Sequence, residues 1–422
     1  MSNGCDFLII GAGIIGLTIA WEVKKRHPAS TVTILEKELK VGLHASGRNS
    51  GGLHSGIYYG SNTLKAKVCS SGAKKMQEFA DEHNIPYNRS GKIIIATSER
   101  DLPTVDLLLK NAKDNDIRAE RIDEQEIKKI EPYATPYQTG IYSPNTAVID
   151  SKSVVCKLYS LLQDKGVKFK LGVTLLEKND NDGVVMTSSG SMSYGYLFNC
   201  AGANADRVAK LFNRGLAYTM IPFKGIYYKL RPESNYLLNS SIYPVPDINL
   251  PFLGVHLTKV IGGDVYVGPT AIPAFGRENY GIIKGVELSE GVNIGSELIN
   301  MYLHNQHNFR FLVHTEVRKY FKPWFIKSAQ KLMAGLKKED LVLSNKVGIR
   351  PQLVNVKTKS IEMDYIIEQT EKSIDMADWQ FDNISENTGI ALVVGNEVYG
   401  VAPEIIDLCD VVVHIPMCGK KE

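Results

Sequence analysis

The 422-residue sequence has no long hydrophobic run: its longest early one, FLIIGAGIIGLTIA, is interrupted by three glycines. A membrane-spanning helix needs about 20 consecutive apolar residues, so no transmembrane segment is expected. The run follows Asp6 rather than a basic stretch, so no secretory leader is expected either. Cysteine is sparse. Cys5, Cys69, Cys156, Cys200, Cys409 and Cys418 form no CxxC pair and no disulfide-like framework, so reduced thiols, a cytoplasmic location and no metal centre are expected. Excess charge of one sign is also missing. The balance of 49 basic and 46 acidic residues leaves a net +3, without the dense basic footprint of a nucleic-acid binder. Internal repeats and low-complexity tracts are absent. What remains is a composition of 44% hydrophobic and 23% charged residues, ordinary for a globular protein with room for more than one domain.

What is present is concentrated near the start. A short apolar stretch, Asp6 to Ile10, leads into Gly11-Ala-Gly13-Ile14-Ile15-Gly16 and the helical pattern LTIAWEVKKR. A second strand-like run, TVTILEK, ends at Glu36 and Lys37. Strand, glycine turn, helix, strand and an acid 20 residues after the third glycine make up the dinucleotide-binding fingerprint. Gly11 makes the turn, Gly13 admits the pyrophosphate to the backbone, and Gly16 lets the helix close on the strand. The helix N-terminus favours phosphate, and the Glu36 carboxylate suits the adenosine ribose.

FAD and NAD share this fingerprint, so the choice rests on the residues beyond Glu36. There the chain enters HASGRNSGGLHSGIYYG, a polar loop crowded with glycine, instead of another βα unit. Much later, YLFNCAGANADRVAKLF reads as a second strand, Ala201-Gly202 turn and helix. Two separated segments returning to one sheet suit an extended dinucleotide such as FAD.

GAGIIGLTIAWEV, GRNSGGLHSGIYY and NCAGANAD resemble the FAD-dependent oxidoreductases of the D-amino-acid oxidase superfamily. Within it NSGGLHSGIYY, GIYSPNTAVID, PFKGIYYKL and IYPVPDINLPFLGVHLTKVIGGDVYVGP resemble the L-2-hydroxyglutarate oxidase/dehydrogenase family, over most of Met1 to about Ile367. The resemblance implies an α/β fold: an FAD-binding Rossmann-like domain of glutathione-reductase type, carrying an inserted α+β substrate domain on an antiparallel sheet. The expected division is 1–90, 145–215 and 340–368 for FAD, and 91–144 with 216–339 for substrate. It also implies FAD, not covalently held, oxidising an L-2-hydroxy acid by hydride transfer to flavin N5, with oxygen or a quinone as acceptor.

In that family the loop after Glu36 runs under the flavin, which explains its glycines, Gly51 among them. Ser46, Asn49 and Ser50 are then expected to hydrogen-bond the cofactor, Arg48 to face phosphate or a ring carbonyl, and Val173 to line the nucleotide site. Alcohol oxidation needs a base near neutrality, a task suited to histidine; His54 and His256 are the two candidates, and the choice between them is left open. A dicarboxylate needs cations or directed donors at both ends, for which Tyr58, Tyr59, Lys224 and Arg350 are the candidates. Arg350 offers the planar fork that matches a carboxylate. An amine-oxidising relative is the neighbouring alternative. Peripheral contact with a membrane through a surface patch stays compatible with the sequence.

The last 54 residues read differently. GIALVVGNEVYGV and VVVHIPMCG resemble the second and third motifs of the SPOUT RNA 2′-O-methyltransferases, over about 369–422. The asparagine/arginine motif and closing segment of that family are lacking. The expectation is a fused, βαβ-like appendage without methyl transfer from S-adenosylmethionine; the alternatives are an S-adenosylmethionine-dependent RNA methyltransferase, argued by the tail alone, and a fused chain without turnover.

Overall fold

The computed structural model describes residues 4–179, 183–247, 252–366 and 390–392. Two sheets organise them. The first is ordered Leu175–Lys178, Val184–Thr187, Gly190–Asn199, Gly4–Ile10, Val32–Glu36, Lys168–Leu171. Its four-strand centre is parallel, from Gly190–Asn199 across to Lys168–Leu171. Strand Gly4–Ile10 is buried on both faces, as a central parallel strand must be. Phe7 and Ile9 enter a core with Ile19, Val23, Leu158 and Leu162, from the helices Ile14–Arg26 and Ser151–Asp164. Leu8 and Ile10 face the opposite way, against Val185, Leu197, Val208 and Phe212. Each such fully buried side chain contributes about 1.5–3 kcal/mol.

Gly11 and Gly16 explain how the first helix sits so close. Gly11 has φ +108°, and a Cβ there would overlap the Cys200 carbonyl oxygen. A Cβ on Gly16 would overlap the carbonyl oxygen of Gly11 itself. The helix N-terminus carries no acid in its first turn, whereas Lys24, Lys25 and Arg26 fill its last turn. That arrangement complements the dipole at the C-terminus and leaves the positive end free for an anion.

The second sheet has ten strands, its main path being Ser360–Ile361, Leu341–Asn355, Tyr218–Leu230, Val265–Gly268, His256–Lys259, Ser241–Pro244, Lys92–Ile95, Thr139–Ser143, Glu120–Asp123. All its pairings are antiparallel except one, where Ile242, Tyr243 and Pro244 run parallel to Ile93, Ile94 and Ile95. Ile93 and Ile95 face the helix Lys322–Gln330 through Phe325 and Ile326. Ile94 faces the other way, with Tyr243, Val105 and Leu108.

One expectation about the layout needs correction. The stretch from 341 is expected in the FAD domain, but Leu341–Asn355 is the longest strand of the substrate sheet, paired along Tyr218–Leu230 with Phe223 opposite Arg350. Partnering decides this, because the 13-residue strand Tyr218–Leu230 would otherwise present an open edge. The appendage expected at 369–422 lies outside the described residues, apart from Ile390–Leu392. Those three residues add a parallel strand to the first sheet beside Leu197–Asn199.

Candidate active site

Two cavities lie between the sheets, of about 480 and 490 Å³, and Ala45 and Ile349 belong to the walls of both. The first opens over the glycine turn. Gly11, Gly13, Ile14, Ile15, Glu36, Lys37, Ser46, Val173, Ala201 and Gly202 line it, while Gly16 sits behind, in the helix–strand contact. The Glu36 carboxylate is buried and fixed at the strand end, accepting from the N–H of Ala12 at 2.8 Å and of Glu38 at 2.9 Å. Ser46 Oγ accepts from the Ile14 N–H, 2.9 Å away, at the mouth of the helix. Asn199, buried at the end of its strand, shapes the second turn: its amide donates to the Ala205 carbonyl and accepts from the Ala201 N–H.

A loop from the substrate side, 274–287, roofs this cavity with Arg277, Glu278 and Tyr280. Arg277 makes a buried ion pair with Asp206 and a second, at 2.7 Å, with Glu290. Burial alone would raise the Asp206 carboxyl, but the hydrogen bonds and charge of Arg277 outweigh it and hold the group below its ordinary range. Lys37 pairs with Glu278, and His44 Nδ1 lies 2.6 Å from the Tyr280 hydroxyl. Glu38, His44 and Glu278 approach one another closely enough for a metal ion, yet the Lys37 ammonium already sits against both carboxylates.

The second cavity is lined by the glycine loop and the substrate sheet together. Arg48, Asn49, Ser50, Gly51, His54, Tyr58, Tyr59, His256 and Arg350 all contribute. Gly51 has φ +76°, and a Cβ there would overlap the Ile149 carbonyl oxygen, so the loop follows its neighbour strand too closely for any side chain. Both histidines are neutral. Burial pushes His54 well below its ordinary value, with Lys92, His256 and Arg350 adding to the effect. Burial lowers His256 to about 3, and the charges of Arg350 and Lys92 add to that. His256 Nδ1 lies 3.0 Å from the Gly254 carbonyl, so this nitrogen carries the hydrogen and Nε2 keeps its lone pair. His54 Nδ1 is buried without a hydrogen-bond partner. Among the described residues the Arg350 guanidinium makes no hydrogen bond or ion pair; it faces the Phe252 ring, 5.8 Å away.

The sequence matches the FAD dependent oxidoreductase family over residues 6–396. The chain belongs to the FAD-dependent oxidoreductases. Its curated relatives include the L-2-hydroxyglutarate dehydrogenase of Indibacter alkaliphilus, 41% identical over 65% of this chain and 69% of that one. The protein of the same name from Escherichia coli K12 is 33% identical over 87% of each chain. The mitochondrial one of Bos taurus is 34% identical over 87% of this chain and 81% of its own. Among solved structures the fold is similar to an FAD-bound L-alpha-glycerophosphate oxidase of Mycoplasma pneumoniae, with a TM-score of 0.66, 21% identity and 87% of each chain covered. It is also similar to glycine oxidase of Geobacillus kaustophilus, at TM-score 0.62 and 17% identity over 83% of this chain and 84% of that one.

The residues of this oxidoreductase fit FAD. Its two cavities adjoin at Ala45 and Ile349, the acid-free helix N-terminus meets the first, and an unpartnered His54 nitrogen is buried in the wall of the second. Three expected site residues have other partners. Lys224 lines neither cavity; its buried ammonium donates to the Gly281 carbonyl at 2.7 Å and to Asn279 Oδ1 at 3.3 Å, anchoring the roofing loop. Arg48 donates to the Leu43 and Val347 carbonyls and stacks 3.9 Å over Tyr280. The Asn49 amide donates to the Ala45 and Ser46 carbonyls, and its oxygen accepts from the Gly51 N–H, which sets the loop's shape.

The oxidoreductase also holds a charged residue that the sequence did not reveal. Lys92 is fully buried, and its ammonium lies 3.3 Å from the Tyr58 hydroxyl. It also lies 4.4 Å from the Tyr58 ring centre and 5.3 Å from that of Tyr243. Tyr243 in turn stacks on His256 at 4.0 Å and meets His54 edge-on at 5.9 Å. No carboxylate pairs with Lys92 among the described residues, and burial lowers it to about 7. A basic residue opening the apolar run KIIIA was the one available signal.

Proposed function

We propose that this oxidoreductase converts L-2-hydroxyglutarate to 2-oxoglutarate. One arrangement carries the reading: two buried neutral imidazoles share a cavity with a guanidinium that has no ionic or hydrogen-bond partner among the described residues. A buried carboxylate must be paired, and Arg350 offers a planar fork for one end of a dicarboxylate. The other end meets the positive potential of Lys92, transmitted through Tyr58 and its neighbour Tyr59. The curated relatives carry the same activity in their names, which supports the choice among 2-hydroxy acids.

In this reading His256 takes the hydroxyl proton on Nε2, because its Nδ1 hydrogen is committed to Gly254. His54 offers its unpartnered nitrogen to the bound ligands and orients them. Glu36, the Gly11–Gly16 turn and Ala201–Gly202 hold the nucleotide, while Ser50 and Gly51 border the reacting end. When bound, FAD supplies the two-electron acceptor for the hydride that leaves the hydroxyl-bearing carbon. Oxygen or a quinone completes the turnover. The four described cysteines are free thiols, in keeping with the reducing cytoplasm we assign to the enzyme.

The test is anaerobic titration of the purified, yellow protein. L-2-hydroxyglutarate should bleach the flavin absorbance, whereas the D-enantiomer and amino acids should not. Bleaching by an amino acid instead would move the enzyme to the amine-oxidising branch of its superfamily.

A further inference from the structure

We infer that the Tyr58–Lys92 pair is the proton exit of the oxidation site: the substrate's hydroxyl proton, taken first by His256, ends on the Lys92 nitrogen by way of the Tyr58 hydroxyl. This rests on the proposed oxidation of a 2-hydroxy acid and adds the fate of its proton. Lys92 opens the strand Lys92–Ile95 and is wholly buried, so it exchanges no proton with solvent directly. Its nitrogen lies 3.3 Å from the Tyr58 hydroxyl, in a bond only partly shielded from solvent. Tyr58 lines the substrate cavity together with His54 and His256, whereas Lys92 does not reach its wall. Tyr58 is therefore the hydroxyl that joins the buried nitrogen to the reacting end.

The other groups that face Lys92 do not compete for that proton. Tyr243, on the parallel strand Ser241–Pro244, presents its ring at 5.3 Å, and burial raises its phenol above the ordinary range. Cys69, on the helix Leu64–Glu82, is buried and raised to about 12, so it stays a thiol. Ser143, opposite Lys92 on the antiparallel strand, does not titrate. His54 and His256 are both lowered, in part by the charge of Lys92 itself. An imidazolium at His256 is therefore short-lived at neutral pH, and its proton needs a better holder. Lys92 holds one about ten-thousandfold better, at about 7 against about 3, and an acceptor near the working pH is the one that proton transfer favours. The substrate O–H bond breaks onto His256 Nε2. Cavity solvent carries that proton to the Tyr58 oxygen while the Tyr58 hydrogen moves to the Lys92 lone pair. Tyr58 ends unchanged, His256 is neutral again, and Lys92 is an ammonium; a single proton moves, and no electrons. A lysine that only attracts carboxylate could be replaced by a guanidinium, but a proton acceptor could not, because arginine stays charged.

The test is the pH dependence of anaerobic flavin bleaching by saturating L-2-hydroxyglutarate, in the holoenzyme and in its Tyr58→Phe and Lys92→Arg variants. The wild-type rate constant should rise about tenfold per pH unit up to about pH 7, as Lys92 loses its own proton, and level off above it. At about pH 8 each variant should bleach about a hundredfold more slowly. The half-saturating substrate concentration should barely move, and the inflection near pH 7 should be gone. A pH indicator in weak buffer should register about one proton more released per flavin bleached by either variant than by wild type. Flavin content and denaturant melts verify the fold; if the buried Lys92→Arg change fails there, Tyr58→Phe decides alone. A wild-type profile flat through pH 7, an inflection kept in either folded variant, or wild-type rates from Lys92→Arg overturns the inference. A wild type that L-2-hydroxyglutarate does not bleach overturns the substrate assignment and the relay together, whereas equal bleaching by all three proteins overturns the relay alone.

Discussion

Replacing Lys92 by methionine should stabilise the protein while impairing it. The side chain is fully buried with no carboxylate partner among the described residues, and the fold lowers it from 10.5 to about 7. At ~1.4 kcal/mol per unit, holding the ammonium in place costs the folded state on the order of 5 kcal/mol. The sign comes from proton uptake. Below about pH 7 the lysine is charged both folded and unfolded, so the whole penalty applies. Between about 7 and 10.5 the unfolded chain binds the extra proton. In that window the lysine is neutral when folded and charged when unfolded, so folding must release a proton; the cost of that release falls as pH rises, so stability rises with pH and the penalty drains away. Methionine has similar length and no charge. Denaturant melts of the holoenzyme should therefore show the variant more stable near about pH 6, with the gap closing near about pH 10. Its KM for the dicarboxylate, measured below about pH 7 where Lys92 is charged, should rise about tenfold, because Arg350 is then left to supply the positive potential of the cavity. A variant less stable than wild type at low pH, or a gap independent of pH, would refute the reasoning.

Three further outcomes rest on the geometry. Gly16→Ala drives a Cβ into the Gly11 carbonyl, so it should destabilise by about 1–3 kcal/mol and purify with little flavin, read from the ratio of flavin to protein absorbance. Lys224→Met should leave KM for substrate nearly unchanged but weaken FAD retention in dialysis, since its ammonium anchors the roofing loop and does not line the substrate cavity. His256→Asn should lower kcat about 100-fold or more with KM preserved. His256 falls from 6.5 to about 3 in the fold, so its contribution to stability is complete above 6.5 and lost as pH drops toward 3. Acid melts should therefore be steeper for wild type than for this variant.

The nucleotide half was legible because its constraints are local. Gly11 and Gly16 are dictated by carbonyl oxygens a few residues away or at the adjoining strand end, and Glu36 lies one βαβ step from the turn. The glycine loop was readable at Gly51, where the nearby Ile149 carbonyl leaves no room for a side chain, but not at Arg48 and Asn49, whose hydrogen bonds to backbone carbonyls have no signal in the linear string. The substrate half was read less well, because its contacts join distant segments. Lys92 acquires its meaning from Tyr243, which reaches it only through the parallel pairing of 242–244 with 93–95. Lys224 belongs to a loop 55 residues further on, and nothing near PFKG signals that loop. Arg350 stands out for its guanidinium, but its strand reads as part of the wrong sheet for want of a local sign of its partner Tyr218–Leu230.

That long pairing has a bearing on biosynthesis. A ribosome that has made the 218–230 ribbon must add over a hundred residues before the complementary stretch at 341–355 leaves the exit tunnel. Throughout that interval the newborn polypeptide shows an uncapped edge to its surroundings, so the same two segments that later brace the oxidation chamber set the window in which the nascent enzyme depends on chaperones.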